Sequence, residues 1–505
     1  MLACIPSATL HGVDGRSVRV EVHVSSGLPS YSVVGLPDAA VRESRDRVRA
    51  ALLSSHLSWP PNRVTINLAP SGVRKSGSGL DLPIAIGLLV ASGALPPASV
   101  EGIGFVGELG LDGSIRPVPG IVSLVAALGT LRAVVPAATA SQATLVAGDR
   151  VRAGVTLSGL MAALLGRSPW PEVGAAEPDP GAGPTASDLS DVRGQPVARR
   201  ALEVAAAGGH HLLLVGPPGS GKTMLASRLP GILPPLTRDD ALEAVKIHSA
   251  AGVALAGGAL PDRPPFRAPH HSSTDVGLLG GGSSWLRPGE ISLAHTGVLF
   301  LDELGEFPTA VLELLRQPLE EGVIRIRRAR GGADLPARFL LVGAMNPCPC
   351  GEGTVPGSCR CTESMRARYL RRLSGPLLDR FDLAITLSPP DVDDLLSGRP
   401  GEPSAAVAER VAFARLLAAT RGVRCNADLP SNSIEESVPL SPDAAGLLER
   451  RLRSGSLTAR GLDRVRRVAR TIADIDGTGE VVGEREVAEA LQLRVARGML
   501  MAADR

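Results

Sequence analysis

Aromatic residues make up only 2% of the 505-residue chain, which excludes a nucleic-acid site built from successive stacking platforms. Lysine occurs only at Lys75, Lys222 and Lys246, so nearly all positive charge is carried by arginine. Cysteine is scarce as well: there are six, four of them in one short cluster, which is not the pattern of a secreted disulfide framework. The N-terminal Met1-Leu-Ala-Cys4 lacks a basic segment leading into an apolar core, so no secretory signal is expected. The longest uncharged run, Leu82 to Val100, contains Pro83, Pro96 and Pro97 and reads as a buried helix ended by prolines, not a membrane span. These absences together place the chain in the cytoplasm. A net charge of +2 excludes a histone-like surface but leaves room for a local basic groove. Any nucleic acid would be gripped mainly through its phosphates.

What is present is α/β patterning in distinct regions. The length accommodates two to four domains at roughly 100–200 residues each. Residues 1–166 alternate strand-like runs (Ser17–Val24, Arg63–Leu68, Gly104–Val106) with helical ones (Asp38–Leu57, Leu82–Ser92). Residues 167–187 are rich in Pro, Gly, Ala and Glu without apolar periodicity and read as a linker. A second α/β region spans 188–395, a polar connecting segment 396–440, and a helical region 441–505. In the last, Ala444, Leu447, Leu448, Leu462, Val465, Val468, Ala469 and Ile472 recur at helical spacing.

The chemistry concentrates in the second region. The apolar run His211–Val215 leads directly into Gly216, Pro217, Pro218, Gly219, Ser220, Gly221, Lys222 and Thr223. Strand, glycine-rich loop and helix in that order form a P-loop. Its glycines let backbone N–H groups converge on phosphate, Lys222 reaches the β- and γ-phosphates of ATP, and the Thr223 hydroxyl ligates Mg²⁺. A second apolar strand ends at Asp302 and Glu303. Adjacent acids at a strand end supply a metal-holding carboxylate (Asp302) and a base for the attacking water (Glu303). A third strand, Phe339–Met345, delivers the Asn346 amide toward the γ-phosphate or the water. Arg380, after a short helical stretch, is either a surface ion-pair partner or an arginine delivered to a neighbouring subunit's phosphate.

These pieces resemble AAA+ ATPases, and in detail the ComM/YifB subfamily of magnesium-chelatase-like proteins. The resembling stretches are Asp191–Gln195, Gly216–Leu236, Phe266–Asp275, Pro288–Leu304, Met345–Gly351, Ser374–Leu383 and Ala469–Asp474. The resemblance implies an α/β P-loop AAA+ core with a C-terminal helical lid. It places Gly194 and Gln195 near the adenine and makes Asn346 the first sensor. Arg380 becomes the trans-acting finger, with Arg371 and Arg372 as rivals, and Arg460 the second sensor. It further implies a homo-hexameric ring with an ATP site at each subunit interface. Residues 1–166 are similar to the Lon-protease-like α/β domain of that subfamily, through Val73–Ala85 and Gly102–Gly120. Gly79 stands at the nucleophile position and Val122 at the lysine position. Ser76 and Ser78 lie nearby, but a serine without its base is a weak nucleophile, so a docking or structural role is expected.

Three further features carry no role in that core chemistry. Cys348, Cys350, Cys359 and Cys361 form a CxC-x8-CxC cluster, suited to a tetrahedral Zn²⁺ site or else reduced and unliganded. Val323–Pro336 reads as a strand-turn-strand whose Arg325, Arg327, Arg328 and Arg330 either track a phosphate backbone or remain unliganded. Paired His270 and His271 read as a polar turn rather than a metal site. The function that the resemblance implies, supported by the arginine hairpin, is an ATP-dependent DNA motor, a helicase or branch-migration factor acting in recombination or natural transformation. A chelatase-type remodelling ATPase is the alternative, against which stands the absence of a D-x-S-x-S metal-adhesion motif.

Overall fold

The computed structural model describes residues 1–174, 187–253, 259–282, 286–328, 331–352, 359–389, 392–396 and 400–494. Most of the segment read as a linker, together with Arg330 and the side chain of Arg328, lies outside the described residues.

The first region is built on two larger sheets and a short two-stranded one, Glu108–Leu109 with Ile115–Arg116. Strands β1 (Leu2–His11), β2 (Asp14–Ser25), β3 (Ser30–Val34) and β4 (Arg63–Ala69) form one sheet in the order β1-β2-β4-β3. Strands β5 (Ile103–Phe105), β6 (Arg132–Pro136) and β7 (Val151–Gly154) form a parallel three-stranded sheet. Helix α1 (Ala39–Ser54) starts where Asp38 accepts the Val41 N–H at 2.9 Å, satisfying one of the otherwise orphaned donors of its first turn. Helix α2 (Asp81–Ala91) is buried along its whole length, which explains its apolar sequence after Asp81, whose carboxylate is paired with Arg47. Helix α3 spans Ile121–Ala127.

The second region opens with α4 (Pro196–Gly208), followed by β8 (Leu212–Val215), α5 (Lys222–Ala226), α6 (Arg238–Ala251), β9 (Phe266–Arg267) and β10 (Val298–Leu301). Then come α7 (Arg316–Glu321), β11 (Val323–Arg328), β12 (Gly331–Pro336), β13 (Leu340–Met345) and β14 (Leu383–Thr386). Five strands form a parallel sheet in the order β9-β10-β13-β8-β14. Every residue of β8, β10 and β13 is buried, as a parallel sheet covered on both faces requires. The fold of this region is therefore α/β of the P-loop type.

Helices α8 (Ser404–Thr420), α9 (Pro442–Arg453), α10 (Ala459–Asp476) and α11 (Glu484–Gln492) follow. Here the structure corrects the sequence reading: residues 396–440 are not a plain connection. They contain α8, which packs against α4 and α10 through Val407, Val411, Ala414 and Ala418. Alanine on both faces of α8 flattens the apolar periodicity that would have revealed it. The C-terminal helices share one hydrophobic core with α4 and the central sheet, through Val465, Val468, Ala469 and Ile472.

The two α/β regions also touch. The Gly120 N–H donates to the Ser249 carbonyl at 2.7 Å, and Val245 of α6 joins the apolar cluster of Ile121, Val122 and Val125. The β1–β2 turn reaches the arginine-rich hairpin: Val13 packs in one cluster with Ile324 and Leu335. At Gly12 (φ +63°) a Cβ would come within 2.8 Å of the Ala333 Cβ. Among the described residues, no helix is long and apolar enough to cross a membrane.

Candidate nucleotide site

Strand β8 ends at Val215, and the loop that follows turns at Gly219 (φ +78°) and Gly221 (φ +87°), where a side chain would strain the backbone. The Gly216 N–H donates to the Met345 carbonyl at 3.1 Å, which joins the loop to the end of β13. Lys222 opens α5 and is buried. Its Nζ donates to the carbonyls of Gly216 (2.8 Å) and Pro217 (2.9 Å) and to Asn346 Oδ1 (3.2 Å). Burial lowers the Lys222 pKa from its ordinary value, while Asp302 and Glu303 act in the opposite direction. Ser220 Oγ is buried in the same loop without a hydrogen-bond partner, an orphaned polar group of the kind a bound phosphate satisfies.

Thr223 and Asp302, expected from the sequence to hold the metal, are brought together. Thr223 Oγ1 donates to Asp302 Oδ2 at 2.6 Å, and Asp302 Oδ1 accepts the Glu303 N–H at 2.9 Å. A hydroxyl and a carboxylate meeting beside a phosphate-binding loop are hard oxygen donors of the type Mg²⁺ takes. Glu303 itself sits at φ +51°, a left-handed conformation that costs a non-glycine residue on the order of 1–3 kcal/mol. Its Oε2 lies 2.9 Å from His271 Nδ1. This contact departs from the sequence reading of His270 and His271 as a polar turn. In the structure His270 does close a turn on Ser272, while His271 faces the proposed base.

Gly194 (φ +62°) and Gln195 (φ +55°) lie just before α4, and Gln195 Nε2 donates to the Ser388 carbonyl at 2.6 Å. Ser388 lies just past the C-terminal end of β14, so this pair stands at the strand ends that carry the P-loop.

Arg380 lies at the other end of the strands. Strands β8 and β14 run parallel with Leu212 opposite Leu383 and Val215 opposite Thr386. The P-loop leaves the C-terminal end of β8, whereas Arg380 precedes the N-terminal end of β14, where Asp382 and Leu383 donate to the His211 carbonyl. Four residues of strand separate the two positions by roughly 13 Å of backbone. Arg380 lines a cavity of 790 Å³ with His211, Asp382, Arg464 and Arg467, and a terminal nitrogen of its guanidinium pairs with Glu320. Its Nε is buried without a partner. Burial and the charges of Arg464, Arg316 and Arg460 lower its pKa, so Arg460 stands in the field of Arg380. The rivals, like Arg380, have partners within the chain: Arg372 donates to the Gly305 carbonyl and to Glu306, each at 2.8 Å, and Arg371 to the Ala367 carbonyl at 3.2 Å.

On the hairpin of β11 and β12, Arg325 pairs with Glu321 and Arg327 with Asp334. Both pairs are about half exposed, so exchanging a carboxylate for a phosphate costs little. After Asn346 the four clustered cysteines converge, their sulfurs all within 4.8 Å of one another. Burial pushes the Cys348 thiol up to about 12, and the Glu352 backbone N–H draws Cys350 down to about 6.

Three family models match the chain: magnesium chelatase subunit ChlI over residues 188–395, subunit ChlI of Mg-chelatase over 20–139, and the ChlI C-terminal region over 401–494. The competence protein ComM of Haemophilus influenzae is 43% identical over 499 residues, covering 98% of this chain and 97% of that protein. The uncharacterized protein YifB of Escherichia coli is 42% identical over 512 residues, covering 99% and 98%. The chain belongs to the ComM/YifB subfamily of magnesium-chelatase-like proteins. In this ComM/YifB chain the 188–395 match takes in the parallel sheet, the P-loop, Asp302, Glu303, Asn346 and Arg380. The 401–494 match takes in α8 through α11, including the helix that the sequence pattern presents as a connection. An uncharacterized protein of Mycobacterium tuberculosis is 46% identical, covering 97% of each chain.

Proposed function

We propose that this chain is an ATPase that assembles as a homo-hexameric ring in the cytoplasm. It uses ATP hydrolysis to move DNA strands, as a helicase or branch-migration factor in recombination or natural transformation. The observation that carries the ring is the position of Arg380 before the N-terminal end of β14, at the opposite end of the strands from the P-loop of its own subunit. Such an arginine is placed to serve a nucleotide held by a neighbour, and Arg460 shares its surroundings. The DNA substrate is supported by the hairpin arginines and by the name of the Haemophilus relative, a competence protein.

Within one subunit, Lys222 and the loop N–H groups hold the phosphates, while Asn346 fixes the Lys222 ammonium. Mg²⁺, held by Thr223 and Asp302, neutralises phosphate charge when bound. Glu303 takes the proton of the attacking water. The His271 contact occupies the carboxylate that must accept this proton. His271→Ala is therefore expected to raise ATP turnover without DNA several-fold and to shrink the stimulation by DNA. A DNA-free rate equal to or below that of the unaltered chain would remove His271 as a restraint.

The C-terminal helices act as the lid. The first region is a Lon-protease-like docking module without peptidase activity. A cavity of 470 Å³ at its Gly79 is lined by Thr9, Asp38, Ser76, Ser78 and Glu108 together with Arg287, and its lining contains no lysine to activate a serine.

The direct test is ATP hydrolysis measured alone and with single-stranded or branched DNA, with stimulation by DNA expected. Removing the hairpin charges by Arg325→Ala with Arg327→Ala should weaken DNA binding and flatten its salt dependence. Each lost phosphate contact lowers the log–log slope by roughly 0.7–0.9. An unchanged slope and affinity would place DNA elsewhere.

A further inference from the structure

The end of β13 carries Asn346, and two residues later the chain enters the cysteine cluster. The Cys348 and Cys350 sulfurs are 3.3 Å apart, and each lies 3.6 Å from that of Cys359. These are not disulfides, whose sulfurs lie about 2.0 Å apart, and all six cysteines are free. Four thiolates on one Zn²⁺ at about 2.3 Å stand roughly 3.8 Å from each other along the edges of a tetrahedron. The three spacings lie just below that edge, and none of the four sulfurs is more than 4.8 Å from another. Thiol–thiol hydrogen bonds are weak, and they give little reason for two separate CxC segments to close on one point against the entropy of the intervening loop.

The backbone supports the same reading. Gly351 adopts φ +83°, and its N–H donates to the Cys348 carbonyl at 3.0 Å, closing a tight knuckle. A Cβ on Gly351 would lie 2.7 Å from Pro218 Cδ and 2.8 Å from its Cγ, so the knuckle rests directly on the P-loop. Lys222 is thus bounded on one side by Asn346, immediately ahead of the cluster, and on the other by the Pro217–Pro218 segment that the knuckle touches.

We propose that Cys348, Cys350, Cys359 and Cys361 hold one Zn²⁺, and that the closed knuckle braces the P-loop and Asn346 in the geometry that accepts nucleotide. The metal site stands on the cysteines alone, whereas the brace rests on the nucleotide-binding reading.

The test uses the full-length chain, washed with a chelator and measured for bound metal and for reactive thiols. About one zinc per chain is expected, with the four cluster thiols titratable only after the metal is released. No zinc, with the four thiols titratable in the native protein, overturns the site. For the brace, Cys359→Ser with Cys361→Ser should abolish metal binding, preserve the helical circular dichroism, and weaken binding of a fluorescent ATP analogue roughly tenfold through a misplaced loop. Should this variant not fold, stripping zinc from the unaltered chain and restoring it gives the same comparison. Unchanged analogue affinity without the metal overturns the brace and leaves the zinc site standing. Hydrolysis is not the readout, so a chain that binds nucleotide without turning it over contradicts the proposed ATPase and not this site.

Discussion

Glu303→Gln is expected to leave ATP binding intact and to lower turnover by about 10²–10⁴-fold, the usual contribution of a positioned general base. The amide keeps the size and shape of the side chain. It also leaves the Thr223–Asp302 pair untouched, because Asp302 bonds to the Glu303 backbone N–H and not to its side chain. What is lost is the capacity to take a proton from water. The same change alters the His271 contact, since that imidazole faces Oε2 at 2.9 Å. Glu303→Gln and His271→Ala should therefore move turnover in opposite directions, which a shared structural defect would not do. The check is steady-state ATP hydrolysis at saturating ATP beside equilibrium binding of a nucleotide analogue. Rapid multiple turnover by the glutamine variant would show that Glu303 is not the base.

Local order along the chain makes most of this site legible in the sequence. Strand, glycine loop, Lys222 and Thr223 are contiguous, and Asp302, Glu303 and Asn346 each end an apolar run, so neighbours in sequence announce them. Features that depend on how distant segments pair are not legible. The His271–Glu303 contact joins the ends of two adjacent parallel strands, β9 and β10, and β9 is only two residues long. The setting of Arg380 follows from the pairing of β8 with β14, which no local pattern encodes. Helix α8 is hidden by alanine on both faces. The packing of the Gly12–Val13 turn on the hairpin joins regions more than three hundred residues apart. The four cysteines are visible as a cluster, but their contact with Pro218 through Gly351 is not.

Arg380→Ala is expected to bind ATP normally and to lose about 10³–10⁵-fold in turnover, the range associated with an arginine that stabilises phosphoryl transfer from outside the P-loop. Charge spreads over the γ-phosphate oxygens in the transition state, and Lys222 with Mg²⁺ covers only one side of it. Arg380 is poised for such a role: its Nε is buried without a partner, and neighbouring arginines make an additional anion welcome. Glu320 holds it until that anion arrives. Arg372→Ala is the matched control: Arg372 is held by Gly305 and Glu306, just after Asp302 and Glu303 of its own chain and not at the far strand ends, and should affect turnover far less.

The proposal that each ATP site is completed by the next subunit is tested most directly by mixing two inactive chains, Arg380→Ala and Lys222→Ala, under conditions where subunits exchange. In a head-to-tail ring formed from equal amounts, about one quarter of the interfaces pair an intact P-loop with an intact arginine. ATP hydrolysis should reappear in the mixture in proportion to those interfaces, although neither variant hydrolyses ATP alone. No recovery in rings shown to contain both chains, or full activity of Arg380→Ala by itself, would contradict a site shared between subunits.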